Sequence, residues 1–319
     1  MDILIGMKNN SSSVSTKKWL AESVLIIITL LWGATFVIIK ESIESVSTLL
    51  FVAFRFLLAV LLLSPLVFFN RKYISRKVIK AGFLLGILLF LGFAFQTVGL
   101  KYTSATKSAF ITGTFVVLVP IFQTVIEKRI PSKGAMLGTF LVLIGLIFLS
   151  TGGESILGFL EMLGSEFNLG DFLTLLCAVV FALQIVYLDV HSPHHNFWVL
   201  TYFQILTTSV LGFIGALLFD AFSIENLKFT VNEDVLFGIF YTGVFATFIA
   251  LSLQTRFQRL VSPTKAGIIY AFEPIFAAVF AFFLLHEKIS NFGFIGSVLI
   301  FLGLITSEVY DRFVIKNGR

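Results

Sequence analysis

The sequence predicts an all-α, polytopic membrane protein of ten transmembrane helices, arranged as two inverted five-helix repeats. Three observations lead there. Of 319 residues, 57% are hydrophobic and only 13% charged. The mean hydropathy is +0.99, which implies more apolar surface than a soluble domain of this size buries. The apolar residues gather in runs of membrane-spanning length. The chain also repeats itself with five runs per copy, and an odd number forces the second copy to cross in the opposite sense.

Residues 1–19 read as a cytoplasmic polar tail, Ser/Asn-rich and without the basic start and small-residue cleavage site of a signal peptide. Ten apolar runs follow, at 20–39, 47–69, 81–100, 107–126, 135–152, 171–189, 196–219, 235–257, 265–285 and 292–310. Each is about the 17–23 residues that a helix needs to cross a bilayer. The first repeat occupies 20–152 and the second 171–310. Between them, 153–170 is an external linker carrying Glu154, Glu161 and Glu166 and no base, and 311–319 is a cytoplasmic tail.

Basic residues set the orientation. With the N-terminus inside, the inner segments hold Lys8, Lys17, Lys18, Arg71, Lys72, Arg76, Lys77, Lys80, Lys128, Arg129, Lys133, Arg256, Arg259, Lys265, Arg312, Lys316 and Arg319. The outer segments hold only Lys40, Lys101, Lys107, Lys228 and Lys288. Both termini are therefore expected in the cytoplasm, with the plasma (inner) membrane as the site. The net charge of +5 flanks the apolar runs, so it points to a lipid bilayer and not to nucleic acid.

The internal match has two offsets. Gln96-Thr97 recurs as Gln254-Thr255, Thr106-Lys107 as Thr264-Lys265, Gly138 as Gly296 and Gly145 as Gly303, all 158 residues on. Earlier in each copy the offset is 149: Glu22 matches Asp171, and Phe54-Arg55 falls on Phe203-Gln204.

These residues resemble a known family. "LWGATFVIIK" in the first run, "SATKSAFITGTFVVLVPIF" leading to Glu127, "NLGDFLTLLCAVVFAL" opening the second copy and "YAFEPIFAAVFAFFLLHEKIS" before the last run are similar to EamA-type members of the drug/metabolite transporter superfamily. The resemblance spans about residues 20–310. It implies export of a small metabolite, such as an amino acid or drug-like compound, through a central cavity between the halves. One position departs from the pattern: Phe115 stands where the offset places the mate of Glu273.

Candidate site residues are the polar groups inside apolar runs. Glu273 lies eight residues past Lys265, about 12 Å deep at 1.5 Å per residue, where an ionised carboxylate is expensive. It is either a neutral packing group bonded to a backbone carbonyl, which Pro274 frees at Tyr270, or a group that changes protonation or partner during transport. Arg55, the other deep charge, either snorkels outward along its stem or clamps an anion from the cavity. It could also pair with Glu273 in one state and part from it in another. Gln96, Gln184, Gln204 and Gln254 are two-sided hydrogen bonders suited to a polar substrate, or else interhelical struts. Trp32 and Tyr270, with Phe36, Tyr187 and Tyr202, are candidates for an aromatic lining. The expected path runs past the first, third, sixth and eighth runs.

Other patterns exclude functions. The single cysteine, Cys177, rules out an internal disulfide and a cysteine metal cluster. "HSPHH" at 191–195 lacks a complete ligand set and reads as a turn, and "HEKIS" at 286–290 lacks the second histidine of a zincin. No P-loop, nucleophile elbow or dinucleotide fingerprint occurs, so no cofactor is expected. The alternative function is an intramembrane enzyme acting on a lipid or prenyl substrate, although the polar residues are scattered singles. Gly138, Gly145, Gly296 and Gly303 mark helix packing in the fifth and tenth runs, with a homodimer contact as one outcome.

Overall fold

A chain this apolar must bond its backbone within each segment, and helices do so. The computed structural model describes residues 2–150, 167–284 and 291–317, almost wholly as helix. Eight helices among the described residues are long and apolar enough to cross a membrane. The ten expected runs differ from these at two places. The fifth forms a shorter apolar helix, Lys133–Leu149. The ninth is divided, as α12 (Pro263–Tyr270) and α13 (Glu273–Leu284). The acidic linker residues Glu154, Glu161 and Glu166, and Lys288, lie outside the described residues.

The division has a local cause. Pro274 is the second residue of α13, where its missing N–H removes no helical bond. The fourth run divides at the offset-matched place, into α5 (Ala105–Gly113) and α6 (Phe115–Glu127). There the Thr114 hydroxyl donates to the Ile111 carbonyl at 2.6 Å. A further break separates α1 (Asp2–Gly33) from α2 (Thr35–Ser42), with Thr35 Oγ1 donating to the Trp32 carbonyl at 2.7 Å. The continuous helices α3 (Thr48–Phe69), α4 (Arg76–Gly99), α8 (Leu169–His191) and α9 (Phe197–Ala221) pack around these broken ones. "HSPHH" forms a short 3₁₀ turn, Ser192–His194, after which Asn196 caps α9.

The matched glycines meet each other inside the chain. They bring α7 (Lys133–Ser150) against α14 (Asn291–Asn317). A Cβ on Gly138 would lie 2.6 Å from the Gly303 carbonyl oxygen, and one on Gly145 would lie 2.7 Å from that of Gly296. The close approach expected of these residues is therefore intramolecular, and the glycine faces are not open to a second copy.

The matched charges also cross. Lys107, near the start of α5, pairs with Asp171 of the second half at 2.7 Å. Its mate Lys265 pairs with Glu22 of the first half, the mate of Asp171, and also with Glu308. Asp171 accepts from Thr103 Oγ1 at 2.7 Å and closes a capping box with Asn168. On the Lys107 side, Glu225 accepts from Thr48 N and Oγ1 and from Lys101 Nζ, and Val46 bridges to Phe229.

Candidate functional site: a polar cavity between the halves

The broken helices end around one interior cavity. It is lined by Trp32, Thr35, Arg55, Leu89, Phe93, Gln96, Phe115, Phe181, Gln184, Ile185, Leu251, Gln254, Tyr270 and Glu273. About 50 Å³ is open to a water-sized sphere, room for a few waters but not for a metabolite. Binding a larger molecule requires the walls to part.

Five matched couples account for most of the lining. At the 149 offset they are Trp32/Phe181 and Thr35/Gln184; at the 158 offset, Phe93/Leu251, Gln96/Gln254 and Phe115/Glu273. Four lining residues have mates elsewhere, and two of them carry distinctive chemistry: Arg55, whose mate is Gln204, and Tyr270, whose mate is Thr112; Leu89 and Ile185 are aliphatic. Phe115 and Glu273 are the first residues of the second half-helices, α6 and α13. Each therefore sits at a helix break.

Arg55 does not snorkel. Its side chain is wholly buried, with the guanidinium carbon 4.5 Å from the Phe93 ring centroid and 5.3 Å from that of Phe56. Nε and Nη2 both donate to Thr247 Oγ1, at 3.3 and 3.2 Å. Thr247 belongs to a π-helical stretch, Thr242–Ile249, which joins α10 (Glu233–Tyr241) to α11 (Ala250–Phe257). Such stretches misalign the backbone ladder and recur at functional sites. Here the Ala246 carbonyl accepts from Trp32 Nε1 at 2.9 Å. Glu273 lines the same cavity as Arg55, but the two are not in salt-bridge contact.

The aromatic and amide candidates divide. Trp32 packs edge-to-face on Tyr270, with centroids 5.4 Å apart. Tyr270 Oη donates to Gln258 Oε1 at 3.0 Å, Gln254 Nε2 donates to the same oxygen at 3.2 Å, and Gln258 Nε2 reaches the Ile185 carbonyl at 2.7 Å. Gln96 Nε2 donates to Thr112 Oγ1 at 3.4 Å. Gln204 is a correction: it is absent from the lining and instead ties α9 to α11, donating to Thr255 Oγ1 at 3.1 Å. Phe36 belongs to another core cluster, and Tyr187 and Tyr202 pack around Val78, Leu85 and Leu188. Sequence reasoning missed Thr35, Leu89, Phe93, Phe181, Ile185 and Leu251. The offsets already pointed to two of these, since Phe181 and Thr35 are mates of the candidates Trp32 and Gln184; Phe93 and Leu251 are mates of each other.

Comparison with known proteins agrees with this architecture. The family model described as "EamA-like transporter family" matches twice, over residues 19–151 and 168–307. The chain belongs to that family. A relative from Archaeoglobus fulgidus, described as an uncharacterized transporter, is 33% identical over 94% of this chain and 89% of its own length. A probable amino-acid metabolite efflux pump of Escherichia coli is 22% identical, over 88% of this chain and 91% of its own length. A crystal structure 17% identical to this EamA-family chain superposes with a TM-score of 0.73, covering 92% of this chain and 98% of that one. At that identity the likeness concerns the fold. The chain is thus an integral membrane protein of a transporter family, and the comparisons give the lipid-enzyme alternative no support.

Proposed function

We propose that this protein is a secondary transporter or facilitator that exports a small metabolite, such as an amino acid or drug-like compound, by alternating access. In this reading ten helices cross the membrane as two inverted repeats, 20–152 and 171–310, with both termini in the cytoplasm of a cell whose plasma membrane holds the protein. The cargo passes between the repeats.

One observation carries the reading: residues matched by the repeat converge, in five couples, on a single cavity lined with polar side chains. Inverted repeats with a site between them and broken helices at that site are the arrangement of alternating-access carriers. The double match to one family model and the name of the Escherichia coli relative support it.

The test is flux of a metabolite panel through purified protein in liposomes. Parent protein is expected to move at least one metabolite, and Gln254→Trp and Gln96→Trp to block that flux while still reaching the membrane. Normal flux through both variants rejects the path.

A further inference from the structure

Within that transport reading, which this inference presupposes only for where the cargo sits, the cavity carries a mark of the cargo's chemistry. Arg55 is wholly buried, yet its Nη1 has no hydrogen-bond partner among the described residues. The other two guanidinium nitrogens share a single neutral hydroxyl, and two aromatic rings cover the group. A guanidinium does not deprotonate under physiological conditions, so burial here holds a full positive charge whose direct contacts are neutral, with Glu273 in the same cavity but outside salt-bridge contact. A buried cation with no anion in contact is strongly destabilising. An unsatisfied buried group of this kind calls for a partner, and a ligand in the cavity is one that completes it.

Two more cavity atoms lack partners among the described residues: Gln184 Nε2 and Gln254 Oε1. They form a donor and an acceptor on the same cavity wall system as Arg55, while Phe93, Phe115 and Phe181 supply flat apolar surface.

We propose that the cavity recognises an organic monocarboxylate: the carboxylate takes the unpartnered Nη1 of Arg55, and an aromatic or branched apolar body lies against the phenylalanines. A second polar group on the cargo, one that accepts from Gln184 and donates to Gln254, adds orientation. Arginine suits the anchor because its planar fork matches a carboxylate and because it is hydrated more weakly than an ammonium. The rings beside it offer no acceptor to Nη1, which is left for the ligand. Arg55 is a binding and specificity residue in this proposal, and no bond is made or broken.

The experiment compares three probes with one body: 3-phenylpropionate, 3-phenylpropionamide and 2-phenylethylamine. Binding to purified full-length protein in detergent is read by quenching of tryptophan fluorescence, to which Trp32 in the wall contributes, and by the rise in melting temperature. The carboxylate is expected to bind at least about tenfold more tightly than the amide or the amine, since a site built around a buried charge rejects the analogue that leaves it unpaired. Arg55→Lys, which keeps the charge but loses the fork, is expected to weaken carboxylate binding about tenfold and so to narrow the preference for carboxylate over amide. Equal or tighter binding of amide or amine to the parent protein overturns the proposal, and that comparison needs no variant to fold. Carboxylate binding that survives Arg55→Lys and Arg55→Gln unchanged overturns it too. The two readings fail separately. Arg55-dependent carboxylate binding without flux in liposomes sinks transport alone. Flux of amine or amide without carboxylate preference sinks this proposal alone.

Discussion

Glu273 and Gln204 looked alike in the sequence, each a polar residue inside an apolar run, and the fold gives them different work. Glu273 opens a half-helix at the cavity wall, beside a helix break. In the transport reading it exchanges a proton or partner as the protein alternates. Glu273→Gln keeps shape and hydrogen bonding but cannot ionise. It is expected to abolish pH-driven accumulation in liposomes while permitting passive exchange. Accumulation equal to that of the parent between about pH 5 and 8, the range over which a carrier proton must be taken up and released, would leave a packing role only. Gln204 holds two helices together. Its Oε1 has no partner among the described residues, and Thr255 Oγ1 also donates to the Leu251 carbonyl. Gln204→Leu is therefore expected to cost no more than about 0.6 kcal/mol, the average for such interhelical bonds, and to leave substrate affinity unchanged. Thermal unfolding in detergent with a binding titration checks both.

At the scale of elements, two devices position the site. Breaks in α5–α6 and α12–α13 bring half-helix ends to the cavity, and glycines let α7 and α14 approach to backbone contact. The second device is testable by comparing two alanines. The Cβ of Gly138→Ala would meet the Gly303 carbonyl oxygen at 2.6 Å, whereas that of Gly267→Ala would meet Val119 at 3.4 Å, an ordinary contact. The first change must push two backbones apart, at about 1–3 kcal/mol. The second adds helix propensity worth up to about 1 kcal/mol. Melting temperatures are expected to fall for Gly138→Ala and to hold or rise for Gly267→Ala. The reverse order would mean that α7 and α14 do not pack as described.

At the scale of the molecule, crossed ion pairs link the halves. In the proposed topology Lys107–Asp171 lies towards the outside and Lys265–Glu22 towards the cytoplasm. Asp171→Asn removes one partner of a buried pair, a loss of about 3–5 kcal/mol where the other charge stays buried. It is expected to loosen the outer end and raise external labelling of a cysteine placed at Gln254, in a Cys177→Ser background, at least several-fold. Glu22→Gln is expected to have no such effect. Identical labelling in both would remove the clamp role. The topology itself predicts that an impermeant maleimide added to intact cells labels a cysteine at Ser165 and spares one at Ser75. The opposite pattern would invert the orientation.

The class of the molecule was legible residue by residue, because the bilayer acts on every side chain in the same way. The apolar runs, the basic residues flanking them and the acidic opening of α8 at Asp171 all answer to that uniform solvent. The offsets 149 and 158 were legible too, and they named couples that prove to share a wall, such as Gln96/Gln254 and Phe115/Glu273. Other facts waited for the tertiary structure: that Arg55 faces inward beside two rings, that Gln204 faces a neighbouring helix, that Glu273 and Arg55 share a cavity without forming a salt bridge, and that the glycines meet inside the chain. Each depends on how a helix is rotated about its axis. In these helices apolar residues lie on every face, so the local pattern does not choose a rotation. The choice is made by packing between segments distant in sequence, such as Ala53 against Gly212 and Gly138 against Gly303.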